Sequence, residues 1–324
     1  MKFLNQLFYL LLIVELLNFG LAHSQTIKFP VRPIRIIVGI APGGGMDATA
    51  RTLGQKLSEN LGQSVVIDNR PGAGGNVAME MASNSIADGH SLLFISATSV
   101  IHPILYKAKF DILENFLPVS QISAQGYVIV INPSLPARSV KDLVLHAKNN
   151  PHKINYASSG IGSPIHLAGE LFSSATKTKL VHIPYKGIAP AYIDLLAGNV
   201  DMSLPAIMSA MPYIKSGKLI GLAVTLPARS SVIPELPTIT EAGIPGVVVV
   251  NWYGVVSPLG TNKHIVNILS KKISDSMNLT EVYKKFQIDG SEVSTSSPDQ
   301  FKSHIKIERE KWTEVILNAN IKVQ

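Results

Sequence analysis

Residues 34 to 57 constrain this chain more than any other stretch. An apolar run of Ile34, Ile36, Ile37 and Val38 leads into Ala41-Pro42-Gly43-Gly44-Gly45-Met46-Asp47, after which Met46, Ala50, Leu53 and Leu57 recur at helical spacing. The order reads as strand, glycine turn, helix. Consecutive glycines let a backbone turn sharply with its N–H groups uncovered, and a helix beginning near Met46 adds unpaired donors and the positive end of its dipole. Such a turn suits an anion.

The same grammar continues. Ser64 to Ile67 reads as a strand, Asp68 to Gly75 as a second glycine loop, Asn76 to Ser83 as a helix carrying Val77, Met79 and Met81, and Ser91 to Ser96 as a third strand. Strand and helix in alternation imply parallel pairing with right-handed crossovers. The polar stretch Ala97-Thr98-Ser99 then falls at a strand's carboxyl end, where open α/β sheets bind ligands. Past the β-branched run Tyr127 to Ile131, Ser139 caps a helix with the stripe Val140, Leu143, Val144 and Ala147, and Lys153 to Ala157 is a strand. Ser158-Ser159-Gly160-Ile161-Gly162-Ser163 is a hydroxyl and glycine loop running into a helix with His166 in its first turn. Val181 to Tyr185 is a strand followed by the turn Lys186-Gly187, and Pro190 to Gly198 is a helix carrying Ile193, Leu195 and Leu196. Val200 to Leu204 and Leu219 to Thr225 read as strands around a helix from Ala206 to Ser216.

Pro227, Pro234, Pro237 and Pro245 rule out a continuous helix or central strand there, so this span reads as a return linker. Val247 to Ser257 is strand-like, and helical segments at Lys263 to Met277, Glu281 to Gln287 and Pro298 to Ala319 finish the chain. The path predicts a two-lobed α/β molecule with a double hinge. Lobe 1 takes residues 25–125 and 246–324, and lobe 2 takes 126–245 with the linker.

Lys2, the apolar run Leu4 to Leu17 and the small residues around Ala22-His23-Ser24 predict a secretory signal, residues 1–24, cleaved near Ser24/Gln25. Glu15 and the shortness of the run argue against a membrane-spanning helix. Without cysteine, an exported chain has no disulfide, thiolate ligand, cysteine nucleophile or sulfur-linked lipid. The net charge of +7 draws anions. The lysines and arginines are scattered with no basic run, which together with export disfavours nucleic acid and favours a small organic anion.

Several chemistries fit parts of the pattern. Gly43-Gly44-Gly45-Met46-Asp47-Ala48 satisfies a dinucleotide fingerprint, with Asp68 at the end of the next strand as its ribose acid, so an NAD-dependent oxidoreductase is one reading. A phosphate loop is disfavoured because Met46 and Asp47 stand where Lys and Ser or Thr belong. A plain tight turn is the third reading. Ser158, Ser159, Gly160, Gly162 and Ser163 offer hydroxyls and N–H groups ahead of a helix, with His166 beside them as a donor or packing residue. Ser163 and His166 lack a G-x-S-x-G context and a third group, which disfavours hydrolysis and leaves no catalytic residue. Tyr185, Lys186 and Gly187 put a phenol, an ammonium and N–H groups at a strand's carboxyl end. No histidine pattern supports a metal, no cofactor is expected, and Trp252 and Tyr253 read as core or hinge packing.

Taken together, Arg32 to Val38, Ala41 to Asp47, Asn69 to Asn76, Asn132 to Pro136, Asn155 to Gly160, His166 to Leu171, Pro184 to Gly187 and Gly217 to Leu219 identify the chain as similar to the Bug family, the periplasmic solute receptors of tripartite tricarboxylate transport systems. The resemblance implies a Venus-flytrap clamshell in the periplasm, a monomer that holds a small carboxylate and hands it to membrane transporter subunits, without catalysis. A sensory receptor feeding a signalling partner uses the same clamshell. Carried over, Gly43, Gly44, Gly45, Asp47, Thr98 and Ser99 face the ligand from lobe 1, and Ser158 to His166 with Tyr185, Lys186 and Gly187 from lobe 2. The sequence departs from the family pattern at Gly39-Ile40, where Pro-Phe is common, and at Ala97-Thr98-Ser99, which bears on the ligand pocket.

Overall fold

Eleven strands in two sheets organise the computed structural model, which describes residues 29–43, 45–72, 75–106, 110–288 and 290–321. The expected signal segment, its cleavage point and Gly44 lie outside the described residues. The first sheet has the order β11-β4-β10-β3-β1-β2, from Glu292–Val293, Phe116–Gly126, Val250–Pro258, Ser91–Ser96, Ile34–Val38 and Val65–Asn69. The second has the order β7-β6-β8-β5-β9, from Val181–Pro184, Asn155–Ser158, Met202–Ser203, Val128–Ile131 and Ile220–Val224. This is the expected two-lobed α/β clamshell.

Strand β1 pairs in parallel with β2 and β3, and β10 runs antiparallel to both β3 and β4. In the second sheet β6 is parallel to β7 and β8, while β5 opposes β8 and β9. Most strands of each sheet therefore share one direction. The reversed strands are β5 and β10, each entered directly after the chain changes sheets, and the short edge strand β11. Ile34, Ile36, Ile37 and Val38 of β1 are all fully buried, as a strand covered on both faces requires.

The chain leaves the first sheet at Gly126 and enters the second at Val128; it leaves β9 at Val224 and re-enters at Val250. Thr225 rivets these passages together. Its N–H donates to Tyr127 O at 2.9 Å and its Oγ1 to Val249 O at 2.6 Å, while Val249 N donates to Thr225 O at 3.1 Å. A Cβ on Gly126 would lie 2.4 Å from Leu226 Cγ, so the passage closes only over a glycine. The proline-rich stretch 226–245 contains no helix or strand, yet it is anchored: Ile239 N donates to Val224 O at 2.9 Å, and Ile233 and Ile239 are buried.

The first lobe packs Trp252, Phe116 and Phe301 under its sheet, and the second packs Val128, Val130 and Leu195. A further cluster joins Tyr156, Leu167 and Phe172 to Ile101, Trp312 and Ile316, so the helix Pro164–Thr176 and the C-terminal helix Pro298–Asn318 share a core between the lobes.

Two local readings change. The polar stretch Ala97-Thr98-Ser99 is the first turn of a helix, Ala97–Leu105, hidden in the sequence by Pro103 and the opening hydroxyls. Helix Asn76–Ser83 buries Ala78, Met79 and Ala82 while Val77 is 42% exposed. The cause is the second glycine loop: Val77 Cγ2 sits 3.0 Å from where a Cβ on Gly72 would be, covering the loop instead of the core.

Candidate functional site

The first glycine turn supplies its own anion. Asp47, 3% exposed in the first turn of helix Gly45–Leu61, accepts hydrogen bonds from Gly43 N at 3.0 Å, Arg51 Nε at 2.9 Å and Asn69 Nδ2 at 2.9 Å. The hydrogen bond from Arg51, working against burial, holds its carboxyl at about 2. Asn69 also donates to Ile40 O at 3.1 Å, so one amide ties both sides of the turn. The Gly43 N–H is therefore not uncovered as the sequence suggested: the nearest carboxylate takes it. Gly43 itself has φ 99°, a conformation that favours glycine.

Asp68 is likewise engaged. It pairs with Arg35 and, at 2.9 Å, with Arg70. The dinucleotide reading loses its ribose acid, because a carboxylate held between two guanidinium groups is not offered to a hydroxyl.

Beside the turn, the helix Ala97–Leu105 begins at the carboxyl end of β3, and Ser99 Oγ accepts from Ser96 N at 3.3 Å. Thr98 is exposed. A cavity of about 270 Å³ opens between Thr98, Ser99, Ile40, Met46, Met79 and Phe94, with Gly39, Gly72 and Gly75 on its wall. Gly39 and Ile40 thus belong to the same wall as Thr98. Tyr253, read from the sequence as core or hinge packing, faces this region. Its hydroxyl lies 3.7 Å from a Cβ built on Gly45, and its ring stands 5.8 Å from that of Phe94. Trp252 beside it is fully buried, so strand alternation in β10 was the signal that could have singled out Tyr253.

The second-lobe loop is shaped from below by two imidazoles. His166 is 5% exposed and its Nδ1 accepts from Gly162 N at 3.0 Å, which puts its proton on Nε2, 3.8 Å from Glu170 Oε1. Tyr156 donates to the same Glu170 oxygen at 2.5 Å. His182 stacks on His166 with centroids 3.8 Å apart, and its Nε2 lies 2.6 Å from Ser158 Oγ, which accepts from Gly160 N at 3.1 Å. Burial pushes His166 down to about 4; burial, then the neighbouring His166, pushes His182 down to about 3. Both rings are neutral near pH 7. Ser163 Oγ accepts from His166 N at 3.3 Å as a helix cap, so Ser163 and His166 do not meet as nucleophile and base.

At the end of β7, Tyr185 donates its phenol to Asp194 at 2.6 Å, Tyr185 N donates to Ser158 O at 3.0 Å, and Gly187 N donates to Ser159 O at 3.3 Å. These bonds hold the two second-lobe loops side by side. Among the candidate side chains, Thr98, Ser159 and Lys186 have no hydrogen-bond or ion-pair partner among the described residues. Gly160 and Gly162 hold φ of 130° and 75° in the loop between them.

The two halves meet. A Cβ on Gly162 would lie 2.7 Å from Leu105 Cδ1, so the second-lobe loop touches the end of the Thr98 helix. On the far flank, Met208 Cγ occupies the place of a Cβ on Gly290. Among the described residues no three His, Asp or Glu side chains gather as a metal site.

Comparison with known proteins agrees with the two-lobed fold. Residues 49–321 match the model of the tripartite tricarboxylate transporter family receptor. BugT of Bordetella pertussis is 34% identical over 299 residues, covering 91% of this chain and 92% of BugT. The periplasmic binding protein BugD superposes with a TM-score of 0.71 at 32% identity over 91% of this chain and 100% of BugD. Rpa4515 of R. palustris, solved with adipate, gives 0.74 at 32% over 91% of this chain and 99% of its own. MatC of Rhodopseudomonas palustris, solved with malate, gives 0.70 at 27% over 89% of this chain and 100% of its own. The chain belongs to the tripartite tricarboxylate transporter receptor family.

Proposed function

We propose that this protein is a periplasmic receptor that captures a small organic carboxylate between its lobes and delivers it to membrane transporter subunits, with no catalysis of its own. The observation that supports the reading is the contact of the Gly162 loop of one lobe with Leu105, at the far end of the Thr98 helix of the other, beside Thr98, Ser159 and Lys186 side chains that have no partner among the described residues. Backbone N–H groups at a helix start and a lysine at the rim are the complement of a carboxylate. Adipate in Rpa4515 and malate in MatC belong to the same chemical class.

In this reading the lobes pivot at Gly126–Val128 and Thr225–Val250, and Asp47 contacts the solute only indirectly, by holding the turn. Asp68, Tyr185 and His166 are scaffold. A panel of carboxylates tested by thermal shift decides the matter: selective binding to the closed native form raises the melting temperature. Absence of any shift across short, long, aromatic and amino acids, with NAD raising the temperature instead, would end the carboxylate reading.

A further inference from the structure

We infer that the solute carries an apolar body beyond its carboxylate, and that this body fills the first-lobe cavity beside the Thr98 helix; the inference rests on the carboxylate-receptor reading above. The cavity of about 270 Å³ is walled by Ile40, Met46, Met79 and Phe94, and its polar side chains are the hydroxyls of Ser96, Thr98 and Ser99. At roughly 30 Å³ per water in the liquid, that is space for about nine waters, more than a bare carboxylate fills. Among the described residues no charged side chain lines it. The charges nearby are committed: Asp47 to the turn and Arg51, and Arg35 and Arg70 to Asp68.

The distribution of polarity sets the orientation. The three hydroxyls cluster at Ser96 to Ser99, where the helix begins, so the carboxylate belongs there and the rest of the molecule against the methionines and Phe94. Hydroxyl or further carboxylate groups on that body would meet sulfur, methyl and ring carbon, with no side-chain partner there among the described residues. Each group so stranded costs roughly tenfold or more in affinity. The space exists because the backbones around it come close: a Cβ on Gly39 would sit 3.1 Å from Gly75 Cα and 3.3 Å from Ala78 Cβ, leaving the wall without side chains there. A polyhydroxylated or tricarboxylic acid is thereby the wrong class, and an aromatic or branched aliphatic monocarboxylate the right one.

Calorimetric titration of the purified protein with phenylacetate, 4-methylpentanoate, malate, tartrate and citrate tests this. The expected result is binding of the first two at least about tenfold tighter than the last three. Ile40→Asn, at a partly exposed wall position, is expected to shrink that ratio, and Met79→Gln to do so more strongly, with melting curves establishing that each variant is folded. Malate, tartrate or citrate binding as tightly as phenylacetate overturns the apolar-body inference and leaves the receptor reading standing. An unchanged ratio in folded Ile40→Asn and Met79→Gln overturns the placement in this cavity. No binding by any of the five acids overturns both.

Discussion

Leu105 of the first lobe and Gly162 of the second touch across the lobes: a methyl group at Gly162 would come within 2.7 Å of Leu105 Cδ1, so the leucine tip would have to turn aside. The loop that carries Ser159 therefore rests on the helix that carries Thr98, and the proposed receptor reading makes solute capture depend on that contact. Gly162→Ala is expected to weaken carboxylate affinity by about tenfold, through this clash and the φ of 75° at Gly162. Combining it with Leu105→Ala is expected to recover part of the loss. A double variant as weak as Gly162→Ala alone, measured by calorimetry, contradicts a role for the contact.

Asp47 predicts a stability effect with a pH signature. Removing its carboxylate in Asp47→Ala takes the acceptor from Gly43 N and from one Asn69 N–H and is expected to cost about 1–3 kcal/mol in urea unfolding. Because its folded pKa, about 2, is below the ordinary carboxylate value of 3.8, its contribution is present above pH 4 and fades as pH falls through 2. An Asp47→Ala protein with wild-type stability at pH 7 would refute the turn-staple role.

The stacked imidazoles predict acid sensitivity at higher pH. His166 and His182 titrate near 4 and 3 when folded but near 6.5 when unfolded, so the unfolded chain binds more protons between those values. Stability is full above pH 6.5 and falls as pH drops toward 4. The melting temperature of His182→Phe is expected to lose less than that of wild type over this interval. Identical slopes for the two proteins would show that the acid sensitivity arises elsewhere.

The strand and helix grammar was legible because it is written in local period: Met46, Ala50, Leu53 and Leu57 are all buried, as their spacing implied. The chain changes sheets between Gly126 and Val128 and again between Val224 and Val250, the second passage running through the prolines. The tasks of individual site residues were not legible. Asp47 depends on Asn69, His166 on His182, and Asp68 on Arg35, partners brought close by the sheet and separated by 22, 16 and 33 positions. A carboxylate or imidazole beside a glycine loop looks like a ligand group until those partners are in place. The Ala97–Leu105 helix was obscured by Pro103, and Tyr253 by standing next to a tryptophan that is core.

Lys186 predicts an electrostatic effect. It is exposed at the end of the Tyr185 turn and has no acidic partner among the described residues. Lys186→Met is expected to slow carboxylate association by a few-fold at low salt, with the difference shrinking near 0.5 M salt, where screening is strong. Stopped-flow association rates equal to wild type at low salt would place Lys186 outside the site.

Native mass spectrometry of protein purified from a periplasmic extract and re-titrated with single acids tests the central claim most directly. The account predicts one small carboxylate bound per chain, and loss of that species in a folded Thr98→Val, Lys186→Met double variant. A chain that carries NAD, or that takes up no carboxylate at all while folded, would contradict it.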